Sequence, residues 1–134
     1  LVHMDATEIL PGVVKVLEYL KKNNQAIALG SASKNARPIL EKTNIMHFFD
    51  AIVDGNDVSN AKPDPEVFLQ AARKLGITNQ NSIVFEDSVA GIQAANSAKM
   101  ISIGIGDSSV LHEAKYNFKD FTFIDETFLA QLIG

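Results

Sequence analysis

Residues Ser82 to Gly104 read SIVFEDSVAGIQAANSAKMISIG, and this stretch decides the fold. Ser82-Ile83-Val84-Phe85 is a short continuous apolar run, too apolar for a surface strand, so it reads as a strand buried on both faces. Val89 to Ala98 follows as a helix, and Met100-Ile101-Ser102-Ile103-Gly104 reads as a second strand. A strand, a helix and a strand joined by short loops form a βαβ unit, whose two strands run parallel.

The same alternation extends upstream. Leu10-Pro11-Gly12 opens a helical pattern with Val13, Val16, Leu17 and Leu20 at helical spacing, and Asn23-Asn24 stops it. Ala26-Ile27-Ala28-Leu29, ending at Gly30, is a buried strand. A helical stretch runs from about Ala36 to Lys42, and Phe49-Asp50-Ala51-Ile52-Val53 is a strand that stops at Asp54-Gly55. A polar loop then leads to Asp64-Pro65, where Asp64 can cap a helix and Pro65 suits its first position. That helix carries Val67, Phe68, Ala71, Ala72 and Leu75 and ends at Gly76. Downstream, Phe121-Thr122-Phe123-Ile124 is the candidate fifth strand and Glu126 to Leu132 the closing helix. The Phe residues at 118, 121, 123 and 128 read as core.

Composition sets the outer bounds. The chain has 134 residues, 46% of them hydrophobic, and a net charge of -4. That length and hydrophobic content suit one compact domain. The acidic balance argues against a nucleic-acid backbone as partner. Zero cysteines exclude disulfides, thiolate zinc sites and thiol nucleophiles. No apolar run reaches membrane-span length and the first ten residues lack the pattern of a signal peptide, so the expectation is a soluble, cytoplasmic domain.

In an open parallel sheet, ligands sit beyond the carboxyl ends of the strands. Three polar groups follow such ends. Ser31-Ala32-Ser33-Lys34-Asn35 follows the first strand, and Pro38 places a helix start near Asn35. Free N–H groups, two hydroxyls, an amide and an ammonium there make an anion site; the alternative is that Ser33 or Asn35 simply caps the helix. Lys62, held before Pro63, can set a fixed positive charge against a phosphoryl group, or it is a solvated loop lysine. Glu86-Asp87 follows the third strand, where adjacent carboxylates repel unless a cation lies between them, and oxygen-only ligands suit Mg2+. The alternative there is a helix cap by Asp87 or Ser88, with Glu86 solvated. His3, His47 and His112 lie away from these groups, and Gly104-Ile105-Gly106 lacks the third glycine of a dinucleotide fingerprint.

With those residues placed, the sequence resembles the haloacid dehalogenase superfamily of phosphoryl-transfer enzymes. Gly30-Ser31-Ala32-Ser33-Lys34-Asn35 is similar to its second motif, Ala61-Lys62-Pro63-Asp64-Pro65-Glu66-Val67-Phe68 to its third, and Val84-Phe85-Glu86-Asp87-Ser88-Val89-Ala90-Gly91-Ile92 to its fourth. The resemblance implies a Rossmann-like, doubly wound parallel sheet and a phosphorylated sugar as substrate. It implies that Ser31 and the Ala32 N–H bind the transferring phosphoryl group. Ser33, Lys34 and Asn35 would grip a second phosphate, Lys62 would neutralise charge, and Glu86 and Asp87 would hold Mg2+. Two phosphate sites fit a mutase working through a bisphosphate; a sugar-phosphate phosphatase needs one.

The superfamily's first motif, an Asp-x-Asp carrying the nucleophile and the acid/base, is absent from this sequence. Asp5 is followed two positions on by Thr7, not by Asp. The expectation is therefore that residues 1–9 are the tail of a missing cap region and 10–134 a core lacking its nucleophile strand. Such a segment would be inactive alone, and its exposed sheet edges would pair with the missing N-terminal segment or with another chain.

Overall fold

Helix α1 (Val13–Lys22) forms where the apolar spacing predicts, burying Val13, Val16, Leu17 and Leu20. The computed structural model describes residues 12–31, 38, 41 and 45–133. Lys21 and Lys22 fall in the last turn of α1, where cations complement the helix dipole. Asn24, in the left-handed region at φ 60°, turns the chain out of the helix.

Strand β1 (Ala28–Gly30) is buried throughout and pairs in parallel with β2 (Ala51–Val53), in the register Ala28 to Ala51 through Gly30 to Val53. Helix α2 (Glu66–Leu75) follows. Pro65 takes the N-cap, one residue later than expected, and the Asp64 carboxylate accepts from the Glu66 N–H at 2.9 Å. Gly76, at φ 70°, closes it. Strand β3 (Ile83–Glu86), helix α3 (Val89–Ser97) and strand β4 (Ile101–Ile105) form the βαβ unit, with Ile83 opposite Ile101 and Glu86 opposite Gly104.

The fifth strand lies earlier than the sequence indicates. Strand β5 is Tyr116–Phe118, parallel to β4, whereas Phe121–Phe123 is a 3-10 turn. The Asp120 carboxylate explains the difference: it accepts from the Thr122 N–H at 2.8 Å and from the Thr122 hydroxyl, which gives the backbone a local alternative to a sheet ladder. Phe121 is core, packed on Phe85, and Phe118 is partly buried edge-on to Phe128. Phe123, expected in the core, is 60% exposed. Helix α4 (Glu126–Ile133) closes the described chain.

Side-chain alternation sorts the strands into two cores. Ile27, Leu29, Phe85, Ile103 and Ile105 face α1 and α4. Ala28, Val53 and Val84 face α2 and α3, whose Ala71, Ala72, Ala94 and Ala95 allow close approach. This is a parallel α/β layer with helices on both faces, as predicted. The described ladders are two, β1-β2 and β3-β4-β5; no ladder hydrogen bond joins β1 to β3, although both contribute to both cores.

Asp50 ties α1 to this layer. Its carboxylate accepts from Lys21 Nζ at 2.6 Å and from the Ile27 N–H at 2.8 Å, and its own N–H donates to the Ile27 carbonyl at 2.7 Å. The Lys21 ammonium first, and the Ile27 N–H second, hold the Asp50 carboxyl below its ordinary value of 3.8. A depressed folded-state value contributes stability that is present above the unfolded value and lost as pH falls through the folded one. Asp50→Ala should therefore lower the unfolding free energy by about 1 kcal/mol near neutral pH, the modest figure reflecting solvent screening. Denaturant titrations should show the gap between variant and parent closing as pH drops below 3.8.

Candidate active site

Two strand ends and one loop build the site. At the end of β1, Ser31 is buried and its N–H donates to the Val53 carbonyl at 2.8 Å, so the hydroxyl sits at the rim of the β1-β2 ladder. Ala32, Ser33, Lys34 and Asn35, the rest of the expected anion cluster, lie outside the described residues. Asp5 and residues 1–9 lie outside them as well.

At the end of β3, Glu86 is 2% exposed, which is costly for a carboxylate unless donors surround it. They do. Its Oε1 accepts from the Asp87 N–H, the Ser88 N–H and the Ser88 hydroxyl, each at 3.0 Å. Its Oε2 takes Lys62 Nζ at 3.2 Å, and the Lys62 side chain is itself only 13% exposed. Lys62 is thus neither solvated nor distant; its ammonium also lies 5.6 Å from the centre of the Phe68 ring. The Lys62–Pro63 peptide bond is cis. The alternative of a solvated Glu86 does not hold, while the cap does: Ser88 is the N-cap of α3, its Oγ accepting from the Gly91 N–H at 3.0 Å. Asp87, next to Glu86, lies at the exposed rim.

Ser31 and Lys62 line one cavity of about 140 Å³, with Val58 and Val67 as its apolar wall. The structure therefore brings together Ser31, Lys62 and Glu86 from three separate elements. His47, exposed and stacked on Phe48, and His112, also exposed, are both absent from the lining of that cavity, in keeping with the expectation that they lie away from the polar groups.

Sequence reasoning missed Asp54, taken only as the end of a strand. It is buried, its Oδ1 accepts from the Asn56 N–H and its own N–H donates to Asp57 Oδ2, both at 2.9 Å. Position directly after a buried strand was the available signal. Among the described residues, no group of three or more His, Cys, Asp or Glu side chains could hold a metal. The donors at the β3 end are nonetheless all oxygen. Mg2+ is commonly held through one or two carboxylates, with water and phosphate oxygens completing its shell, so Glu86 and Asp87 fit it.

A family model of haloacid dehalogenase-like hydrolases matches residues 1–105. The chain belongs to that family. Among curated relatives, it is 41% identical over 99 residues to beta-phosphoglucomutase of Bacillus subtilis, covering 74% of this chain and 44% of the relative. It is 35% identical over 102 residues to fructose-1-phosphate phosphatase of Escherichia coli, covering 76% and 54%. A crystal structure of beta-phosphoglucomutase from Clostridium difficile superposes with a TM-score of 0.89 at 38% identity, covering 97% of this chain and 58% of that one. The chain thus spans about half the length of the curated relatives it matches.

Glu86 fills the space above Gly91, where an added Cβ would stand 1.9 Å from the Glu86 Cδ. Helix propensity alone makes Gly→Ala stabilising by about 1 kcal/mol. Gly91→Ala should instead destabilise by about 1–3 kcal/mol, because the carboxylate has to leave its donors. Denaturant unfolding decides the sign, and a crystal structure of the variant should show Lys62 without its Glu86 partner.

Proposed function

We propose that the protein carrying this chain is a Mg2+-dependent phosphoryl-transfer enzyme acting on a phosphorylated sugar, with beta-phosphoglucomutase as its activity. The observation that supports this reading is the Lys62–Glu86 pair beside Ser31 at the carboxyl rim of the strands. A buried ammonium held there by a carboxylate supplies a preorganised positive charge, which phosphoryl transfer uses more than any covalent chemistry.

In this reading the Ser31 hydroxyl donates to an oxygen of the transferring phosphoryl group, with the Ala32 N–H beside it. Lys62 compensates the charge that builds on those oxygens, and its packing against Phe68 keeps it from water. Ser33, Lys34 and Asn35 hold the second phosphate of a bisphosphate intermediate. Glu86 and Asp87 would hold Mg2+, which when bound would offset the negative charge on the phosphoryl oxygens that repels an incoming nucleophile. None of this chain's residues is assigned as the nucleophile, since the family's Asp-x-Asp is not in the sequence. The same reading takes residues 1–9 as the tail of a cap region. It seats the nucleophile strand between β1 and β3, which share both cores without sharing ladder bonds.

The test is a product assay on beta-glucose 1-phosphate with Mg2+. Accumulating glucose 6-phosphate supports the mutase; inorganic phosphate instead assigns a sugar-phosphate phosphatase, the activity in the name of the Escherichia coli relative. Neither product from a folded protein over a panel of sugar phosphates would sink the reading. In an active protein, Lys62→Ala should lower kcat by about 10²–10³-fold, as loss of a preorganised charge does. Residues 1–134 expressed by themselves should give no turnover.

A further inference from the structure

The loop that delivers Lys62 has no regular structure of its own, yet it holds an ammonium at 3.2 Å from a buried carboxylate. Something must fix it. Its backbone donors converge on one side chain from the first turn of α2. Glu66 Oε2 accepts from the Ser59 N–H at 2.9 Å, and Oε1 accepts from the Asn60 N–H at 2.9 Å and from Asn60 Nδ2 at 3.2 Å. Gln70, one turn along α2, donates from Nε2 to Glu66 Oε2 at 2.8 Å and to the Asp57 carbonyl at 3.0 Å. The upstream end is closed by the Asp54–Asp57 turn, in which the Asp57 N–H donates to the Asp54 carbonyl at 3.0 Å. Downstream, the Asp64 N–H donates to the Ala61 carbonyl at 3.1 Å.

We infer that Glu66 is a positioning residue for Lys62: its carboxylate clamps the Ser59–Asn60 backbone and so fixes the loop from which Lys62 reaches Glu86. Glu66 does not touch the cavity that Ser31 and Lys62 line, so its effect passes through the loop. The Ser59 N–H above all, followed by Asn60 and Gln70, keeps the Glu66 carboxyl below its ordinary value, consistent with a carboxylate that stays charged while it holds the loop. The consequence for catalysis rests on the phosphoryl-transfer reading; the geometric claim does not.

The test therefore needs no substrate. In the protein carrying this chain, Lys62 and the exposed Lys15 are acylated by a small amine-reactive reagent under native conditions, and the rates are read by peptide mass spectrometry. Glu66→Gln sets an amide donor against the loop's own donors. It should raise the Lys62 rate relative to Lys15 by about fivefold or more, the factor that losing a charged hydrogen bond implies. Asp50→Asn, which strips a carboxylate from a distant backbone contact, should leave the ratio unchanged and so controls for general loosening. Should Glu66→Gln not fold, Gln70→Ala removes only the outer donor and should raise the ratio about twofold. The inference is overturned if the Ser59 and Asn60 amides lose exchange protection in the Glu66 variant while Lys62 keeps its parent rate. It is equally overturned if Asp50→Asn raises the ratio as much, or if Gln70→Ala, used in its place, does nothing.

Discussion

A carboxylate at the inner end of a parallel strand is out of reach of bulk water, and its charge has to be met by protein donors or be given up. Glu86 is in that position, and the local architecture follows from how its two oxygens are satisfied. Oxygen Oε1 takes the first backbone amides after β3 and the Ser88 hydroxyl, which bends the chain into α3 and caps that helix with the same serine. Oxygen Oε2 is met from across the rim by Lys62. The side chain lies over Gly91 because no larger residue leaves it room. One buried charge thereby sets the strand-to-helix turn, the identity of a helix residue and the seat of a lysine 24 positions away.

Much of the frame was legible from residue order because burial leaves a direct mark. Strands β1 and β3 are covered on both faces and appear as short unbroken apolar runs, β4 is a mostly apolar run interrupted by the buried Ser102, and the helices carry one apolar stripe each. Strand β5 escaped because it is a partly buried edge of three residues with Asn117 in its middle, while the nearby Phe-Thr-Phe-Ile run looks more like a strand than the real one. What diverts that run is the carboxylate of Asp120, a local competitor that a hydrophobic pattern does not weigh. The exposure of Phe123 follows from the same turn.

The site divides in a similar way. Ser31, Lys62, Glu86 and Asp87 could be picked out because each follows a strand or sits in a polar loop beside one. Their relations could not. That Glu86 is buried with a lysine on it depends on a loop packing back across the rim, which spacing does not encode. Glu66 and Asp54 were passed over because both act on backbone amides of their own neighbourhood, and in one dimension such residues look like ordinary turn or first-turn acids.

Gly12 adds a different consequence. Its φ of 80°, and the 2.7 Å that would separate an added Cβ from the Thr122 nitrogen, fix the start of α1 against the turn at Phe121. Val13 and Leu17 share a core with Phe121 and Leu129. On a ribosome the chain emerges from its amino end, so α1 is made about a hundred residues before Phe121 and Leu129, on which it packs. The βαβ unit closes over short separations and can form early, whereas the part of the seat of α1 supplied by Phe121 and Leu129 waits until those residues are made. Until then the apolar stripe of α1 is the surface that a nascent-chain chaperone would find.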